Sequence, residues 1–235
     1  MPSRAAPLAL AAPVLLLICC ATPSPTTTAP ATTASPSTEA RYLALGDSFT
    51  AGTGANPDQS FPARLAAHWG CGVSLLDLGV DGYTTDDLIA NELPEVPTFA
   101  PQVITVAIGA NDIVQGSTAA TYRAHVHQIL AAVVSAGVKR IVAIPQPDWS
   151  LSPAAVAFGT PASLHARLVD FNGILRAETE AVGGVFVDLF PLMETEAQAH
   201  MLASDGLHPS AVAYDAWGAA LAAKVAAPCT APLAH

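Results

Sequence analysis

Five times along this chain a short apolar segment gives way to a stretch with helical spacing, and this alternation constrains the fold more than any other feature. The segments 41–46 (RYLALG), 74–79 (SLLDLG), 103–109 (VITVAIG), 139–144 (KRIVAI) and 184–189 (GVFVDL) read as strands, the third most clearly because it is β-branched and ends in Gly. Helices are expected over 61–69, 84–93, 118–136, 162–181 and 209–226. Gly137 closes the third of these, and Pro209 sits near the first turn of the last. A Pro-rich loop occupies 145–161. No internal repeat is visible.

Repeated strand–helix units call for a parallel sheet with helices on both faces. The expected class is α/β: a flavodoxin-like three-layer α/β/α fold with a five-stranded parallel sheet in the order 2-1-3-4-5. Open sheets of this kind bind ligands beyond the carboxyl ends of their strands. Ser48 follows strand one, Gly82 strand two and Asn111 strand three, and the 2-1-3 order makes these three loops neighbours.

The first 38 residues stand apart from that pattern. Arg4 precedes an apolar run from Leu8 to Ile18, interrupted by Pro13. A membrane-spanning helix needs roughly 20 apolar residues, so this run fits the core of a secretory signal over residues 1–21. Leu17-Ile18-Cys19-Cys20 resembles a bacterial lipoprotein cleavage box with Cys20 as the lipidated residue, although such boxes usually carry Gly, Ala or Ser where Cys19 stands. Ordinary cleavage after Ala21 is the alternative. Residues 22–38 are almost entirely Thr, Pro, Ser and Ala and read as an extended tether. The expected location is secreted or cell-envelope anchored, with a possible membrane tether through the N-terminal lipid.

Residues 39–235 then form one domain. Apolar residues make up 51% of the chain and charged residues 12%, which is enough apolar material for a sizeable core. With 9 Lys+Arg against 19 Asp+Glu, the net charge is −10, too acidic for a nucleic-acid face. The domain keeps two cysteines. Cys71 follows the first helix and Cys229 the last, at the end of the sheet opposite Ser48, and in an oxidising compartment they are expected to form a disulfide.

Four polar blocks could carry chemistry. Ser48 in GDSFTAG (46–52) stands where strand one ends. A lone loop serine usually caps a helix, so it needs a base to mean more. His208 in DGLHPS (205–210) supplies one, and Asp205, three residues earlier, can fold back onto its Nδ1 to fix the tautomer. Gly82 in GVDGYTT (79–85) and Asn111 in GANDIV (109–114) could each aim an N–H at a developing oxyanion, or could simply serve turns.

In this order, the four blocks resemble the SGNH/GDSL hydrolase superfamily, over about 41–226. The resemblance implies Ser48 as nucleophile, His208 as base and Asp205 as its orienting acid. It implies an oxyanion hole made by the N–H groups of Ser48 and Gly82 and the Asn111 side chain, with no metal and no cofactor. The family often has Asn where this chain has Asp77, which is expected to alter loop packing. Asp188, ending strand five, is a second candidate for the orienting acid. Asp47 and Asp112 read as loop anchors, with Asp47 bracing the oxyanion loops. His125 and His127 diverge on their helix and make no metal pair. Trp149, Leu151 and Phe158 could line an acyl pocket.

The expected activity is hydrolysis of a small-molecule or lipid ester through an acyl-serine intermediate, of esterase or lysophospholipase type, by a monomer. A carbohydrate O-acetyl esterase is the alternative. A catalytically inactive surface binding protein is the alternative of another class, since fold alone proves no function.

Overall fold

The computed structural model, which describes residues 39–229, places five parallel strands in one sheet of order β2-β1-β3-β4-β5. The proposed signal peptide at 1–21, its Cys20 lipidation site and the tether at 22–38 lie outside the described residues. The strands are β1 (Ala40–Gly46), β2 (Val73–Asp77), β3 (Val103–Ala107), β4 (Arg140–Ala143) and β5 (Val185–Phe186). The helices are α1 (Ser48–Ala51), α2 (Phe61–Trp69), α3 (Thr85–Asn91), α4 (Glu95–Phe99), α5 (Ala110–Val114), α6 (Ala119–Ser135), α7 (Pro161–Ala181), α8 (Phe190–Gln198) and α9 (Ala211–Ala222).

The central strands explain the sequence pattern. Every residue of β3 is buried, and β1 is buried at all positions but Arg41, so alternation gives way to continuous apolar runs. The register sets Gly46 opposite Ala107, which brings the loops after β1 and β3 side by side. β5 is shorter than its apolar run. It is an edge strand with Val185 exposed, and Asp188 Oδ1 accepts the Phe190 N–H (3.1 Å), which opens α8. β2 likewise stops early, because Asp77 Oδ1 turns back onto the Gly79 N–H (3.0 Å).

Side-chain caps start the long helices where expected. Ser60, Thr118, Thr160 and Ser210 each accept a backbone N–H at the N-terminus of α2, α6, α7 and α9. Each such cap stabilises by about 1 kcal/mol. Helices α3, α6 and α7 pack together over one face of the sheet, while α2 and α9 pack on each other over the other. The α2–α9 crossing is close because a Cβ at Gly218 would lie 2.6 Å from Arg64 Cβ and 2.8 Å from the Leu65 nitrogen. Arg64 Nε donates to Asp215 Oδ1 across the same crossing (2.5 Å). Beside it, Cys71 and Cys229 are joined in the expected disulfide, their Cα atoms 6.3 Å apart.

The short helices α1, α4, α5 and α8 and three 3₁₀ turns, Pro57–Gln59, Trp149–Leu151 and Pro153–Ala157, were not anticipated from the sequence. α1, α4 and α5, of four or five residues, span little more than one turn and give no periodicity to register. Among the described residues, no helix is long and apolar enough to cross a membrane.

Candidate active site

Ser48 is the first residue of α1. Asp47 makes that position by capping the helix: its Oδ1 accepts the Phe49 N–H (3.1 Å), and Gly52 closes the single turn in the left-handed region. The serine is nearly buried, with 7% of its surface exposed.

His208 arrives from the other end of the chain. A short antiparallel bridge between Leu202 and Pro209 closes the loop that carries it. Within the loop, Asp205 Oδ1 accepts the backbone N–H groups of Leu207 (2.9 Å) and His208 (3.0 Å). Its Oδ2 meets His208 Nδ1 at 2.7 Å, and His208 Nε2 lies 2.8 Å from Ser48 Oγ. A carboxylate at Nδ1 holds the proton there, which leaves Nε2 to accept from the serine hydroxyl. Burial alone would raise the Asp205 carboxyl, but the Leu207 N–H and the His208 ring and N–H outweigh it and hold Asp205 below its ordinary value. Phe49 packs on the imidazole, ring centroids 5.2 Å apart, and limits its tilt.

The expected oxyanion donors face the same cleft. Gly82 has φ +83°, and a Cβ there would meet nothing within 4 Å, so the glycine is required by backbone conformation and not by crowding. Asn111 Nδ2 donates one N–H to the Tyr83 carbonyl (3.0 Å), which orients the amide and leaves its second N–H for a ligand. Asp112 ties the two loops further: Oδ2 accepts the Thr85 N–H (2.9 Å) and Oδ1 the Thr85 hydroxyl (2.5 Å). It is a loop anchor, as expected.

Beneath the serine lies a feature that sequence reasoning missed. Glu92, at the end of α3, is buried, and its Oε2 accepts the Gly46 N–H (2.9 Å) two residues before Ser48. Its Oε1 has no hydrogen-bond partner among the described residues. Burial, reinforced by the neighbouring Asp47 and Asp77, pushes the Glu92 carboxyl up to about 9. Burial pushes Asp47 up to about 8, against the pull of the Phe49 and Ala110 N–H groups. Asp77 is pushed up to about 6, also by burial. A glutamate at a helix end is ordinarily exposed, so nothing in the sequence marked Glu92 as interior.

The cleft above Ser48 has a volume of about 540 Å³ and is open to solvent. Its lining is polar in part, with Asp81, Gly82 and Asn111, and otherwise an apolar wall that includes Val114, Trp149, Phe158 and Leu207. Trp149 and Phe158 therefore stand where an acyl pocket was expected. Leu151 does not line it and points to solvent, because the 3₁₀ turn it ends rotates it outward.

The remaining candidates lie elsewhere. Asp188 pairs with Arg176 (2.5 Å) and not with His208. His125 bonds to Thr85 and His127 to Glu178. Asp148, His165 and Glu194 bring ligand-type atoms within 4.8 Å of one another. However, His165 Nδ1 and Asp148 Oδ2 are 2.5 Å apart, whereas tetrahedral ligation of an ion at about 2.1 Å needs about 3.4 Å between donors. That pair is a hydrogen-bonded staple from α7 to the residue before Trp149.

A Ser–His–Asp line in a cleft that Gly82 and Asn111 also line, at the carboxyl ends of a doubly wound sheet, defines a hydrolase of the carboxylic-ester class. The chain belongs to the GDSL-like lipase/acylhydrolase family, whose sequence profile matches residues 44–216. No curated protein sequence matches the chain. Among solved structures, a lipase/acylhydrolase from Enterococcus faecalis is similar at 22% identity and TM-score 0.62, covering 79% of this chain and 94% of that one. An acetylxylan esterase from Geobacillus stearothermophilus is similar at 18% identity and TM-score 0.63, covering 79% and 93%. An alpha/beta hydrolase enzyme from the metagenome of Lake Arreo, Spain, is similar at 20% identity and TM-score 0.64, covering 80% and 96%. At these identities the likeness is one of fold.

Proposed function

We propose that the protein hydrolyses carboxylic esters through an acyl-serine intermediate, with Ser48 as nucleophile, His208 as general base and acid, and Asp205 as the group that orients His208. The observation that carries this reading is the unbroken line from Ser48 Oγ to His208 Nε2 (2.8 Å) and from His208 Nδ1 to Asp205 Oδ2 (2.7 Å). Ser48 Oγ bonds to the ester carbonyl carbon as its proton passes to His208 Nε2. The carbonyl oxygen becomes an oxyanion, held by the N–H groups of Ser48 and Gly82 and the free amide N–H of Asn111. The C–O bond to the alcohol breaks, and His208 returns the proton to the leaving oxygen. Water then attacks the acyl-serine by the same route, releasing the carboxylic acid and restoring Ser48.

The apolar wall of Val114, Trp149, Phe158 and Leu207 supports an esterase of lysophospholipase type, with an acyl chain longer than acetyl. A carbohydrate O-acetyl esterase is the narrower alternative, and an inactive binding protein is the alternative outside catalysis. Hydrolysis of p-nitrophenyl esters from acetate to palmitate, with Ser48→Ala alongside, separates these. Turnover that the variant loses establishes the enzyme, and the chain-length optimum separates the two substrates. A folded parent with neither turnover nor fluorophosphonate labelling is the inactive binder.

An extracytoplasmic site of action belongs to the same proposal. It is supported by the apolar run at Leu8–Ile18 and by the Cys71–Cys229 pair. Metabolic labelling with palmitate, lost in Cys20→Ser, tests the membrane tether. Protein without label is freely secreted.

A further inference from the structure

One carboxylate lines the cleft without a positive partner. Neither lysine nor arginine is among the lining residues, and the His208 imidazole is already engaged by Asp205. Asp81 lines the cleft from the loop between β2 and α3, and its side chain is exposed. The Thr53 hydroxyl donates to its Oδ1. Oδ2 has no hydrogen-bond or ion-pair partner among the described residues. The bond to Thr53 ties this loop to the turn after α1, but an asparagine would make the same bond without a charge.

The charge matters because of where it stands. Asp81 immediately precedes Gly82, whose N–H is one of the oxyanion donors in the proposed mechanism. Bond lengths keep the carboxylate oxygens within about 9 Å of an oxyanion held on that N–H. That is inside the Debye length of about 10 Å at 0.1 M ionic strength. A carboxylate so placed opposes the negative charge that develops on the carbonyl oxygen. For a neutral ester, nothing offsets that repulsion. An ester that carries a positive charge cancels it and gains a binding group. The net charge of the whole chain, −10, acts in the same sense by drawing cations in and turning anions away.

Trp149 and Phe158, proposed above to take the acyl chain, belong to a segment bonded to the His208 loop. The Ala154 N–H donates to the Gly206 carbonyl and the Ser152 hydroxyl to the Leu207 carbonyl, both at 3.3 Å. Asp81 belongs to neither segment and is left to the alcohol side of the ester. We infer that Asp81 determines specificity by selecting esters of cationic alcohols, those bearing an amine or a quaternary ammonium group, over neutral and anionic ones; this rests on the ester hydrolase reading above and names its alcohol class.

The test compares butyrylcholine with 3,3-dimethylbutyl butyrate, in which carbon replaces the positive nitrogen, on the full chain and its Asp81→Asn variant. Acid release in a pH-stat follows both esters. The parent prefers the choline ester by about tenfold in kcat/KM, and the variant brings that preference close to parity. In the parent alone, about 1 M salt shrinks the preference. The variant also turns over the neutral ester about twofold faster than the parent, because the oxyanion loses a like charge nearby. Two substrates of one shape then move in opposite directions, whereas a loosened loop slows both. A parent without the preference, a preference that survives in Asp81→Asn, or a variant that slows both esters alike overturns the inference. Turnover of p-nitrophenyl butyrate tests the catalytic reading separately. If the parent lacks it, that reading fails, and calorimetric binding of butyrylcholine to the Ser48→Ala protein, with and without Asp81→Asn, decides the cation site alone. Binding lost with the aspartate upholds the site, and absent or equal binding overturns it.

Discussion

Two sets of carboxyl groups surround Ser48, and they are in opposite states. Above it, Asp205 is part-exposed, accepts three hydrogen bonds and is held below its ordinary value. Below it, Asp47 and Glu92 are buried and pushed up to about 8 and 9. The same functional group therefore serves as a charge in one place and as a neutral hydrogen-bonding strut in the other. Environment, not residue type, decides which.

The comparison breaks most visibly at the charged set. Asp205→Ala is expected to lower kcat by about 10³–10⁴-fold while thermal unfolding moves little, because the loop position is exposed and water can take over the Leu207 and His208 N–H groups, whereas the imidazole loses the partner that orients it. Steady-state kinetics beside a melting curve checks this. Asn111→Ala, which removes one oxyanion donor, lowers kcat by about 10²–10³-fold with little change in KM.

The buried set answers in stability. Glu92→Ala leaves the Gly46 N–H without its acceptor, and about 1–3 kcal/mol of unfolding free energy is lost in a urea titration. Glu92→Gln keeps the acceptor and removes the titration. A carboxyl whose folded value exceeds its unfolded value contributes stability that is complete below about pH 4.5 and is lost as pH rises towards about 9. The parent Tm therefore falls across that window, and the Gln variant falls less. A Gln variant that tracks the parent at every pH would show that Glu92 is charged like Asp205 and would erase the contrast. The smallest effect is expected from Asp77→Asn. Asparagine keeps the contacts to Gly79 and Ser60, and by abolishing the charge it gains at most about 3 kcal/mol above pH 6, less as water reaches the part-buried carboxyl.

What the sequence made legible follows the same division. Ser48, Gly82, Asn111, Asp205 and His208 announce themselves through blocks placed at strand ends, and the strand order brings the blocks together. The long strands and helices were readable because four of the five residues of β3 are β-branched and α2, α6, α7 and α9 carry polar caps. Glu92 was not, since burial of an acid depends on how the C-terminal end of α3 meets the end of β1 and no local pattern records that. The outward turn of Leu151 was hidden for a similar reason: a 3₁₀ turn of three residues sets it, within a loop that reads only as proline-rich.

The bonds from Ser152 and Ala154 to Leu207 and Gly206 have a consequence for how such an enzyme can diversify. They couple the segment that brings Trp149 and Phe158 to the cleft, proposed above to take the acyl chain, to the loop that holds His208 and Asp205. Preference and rate are thus not independent modules on this scaffold. A segment transplanted to change chain length brings its own tension to His208, and a lineage that alters its diet must retune its chemistry in the same step.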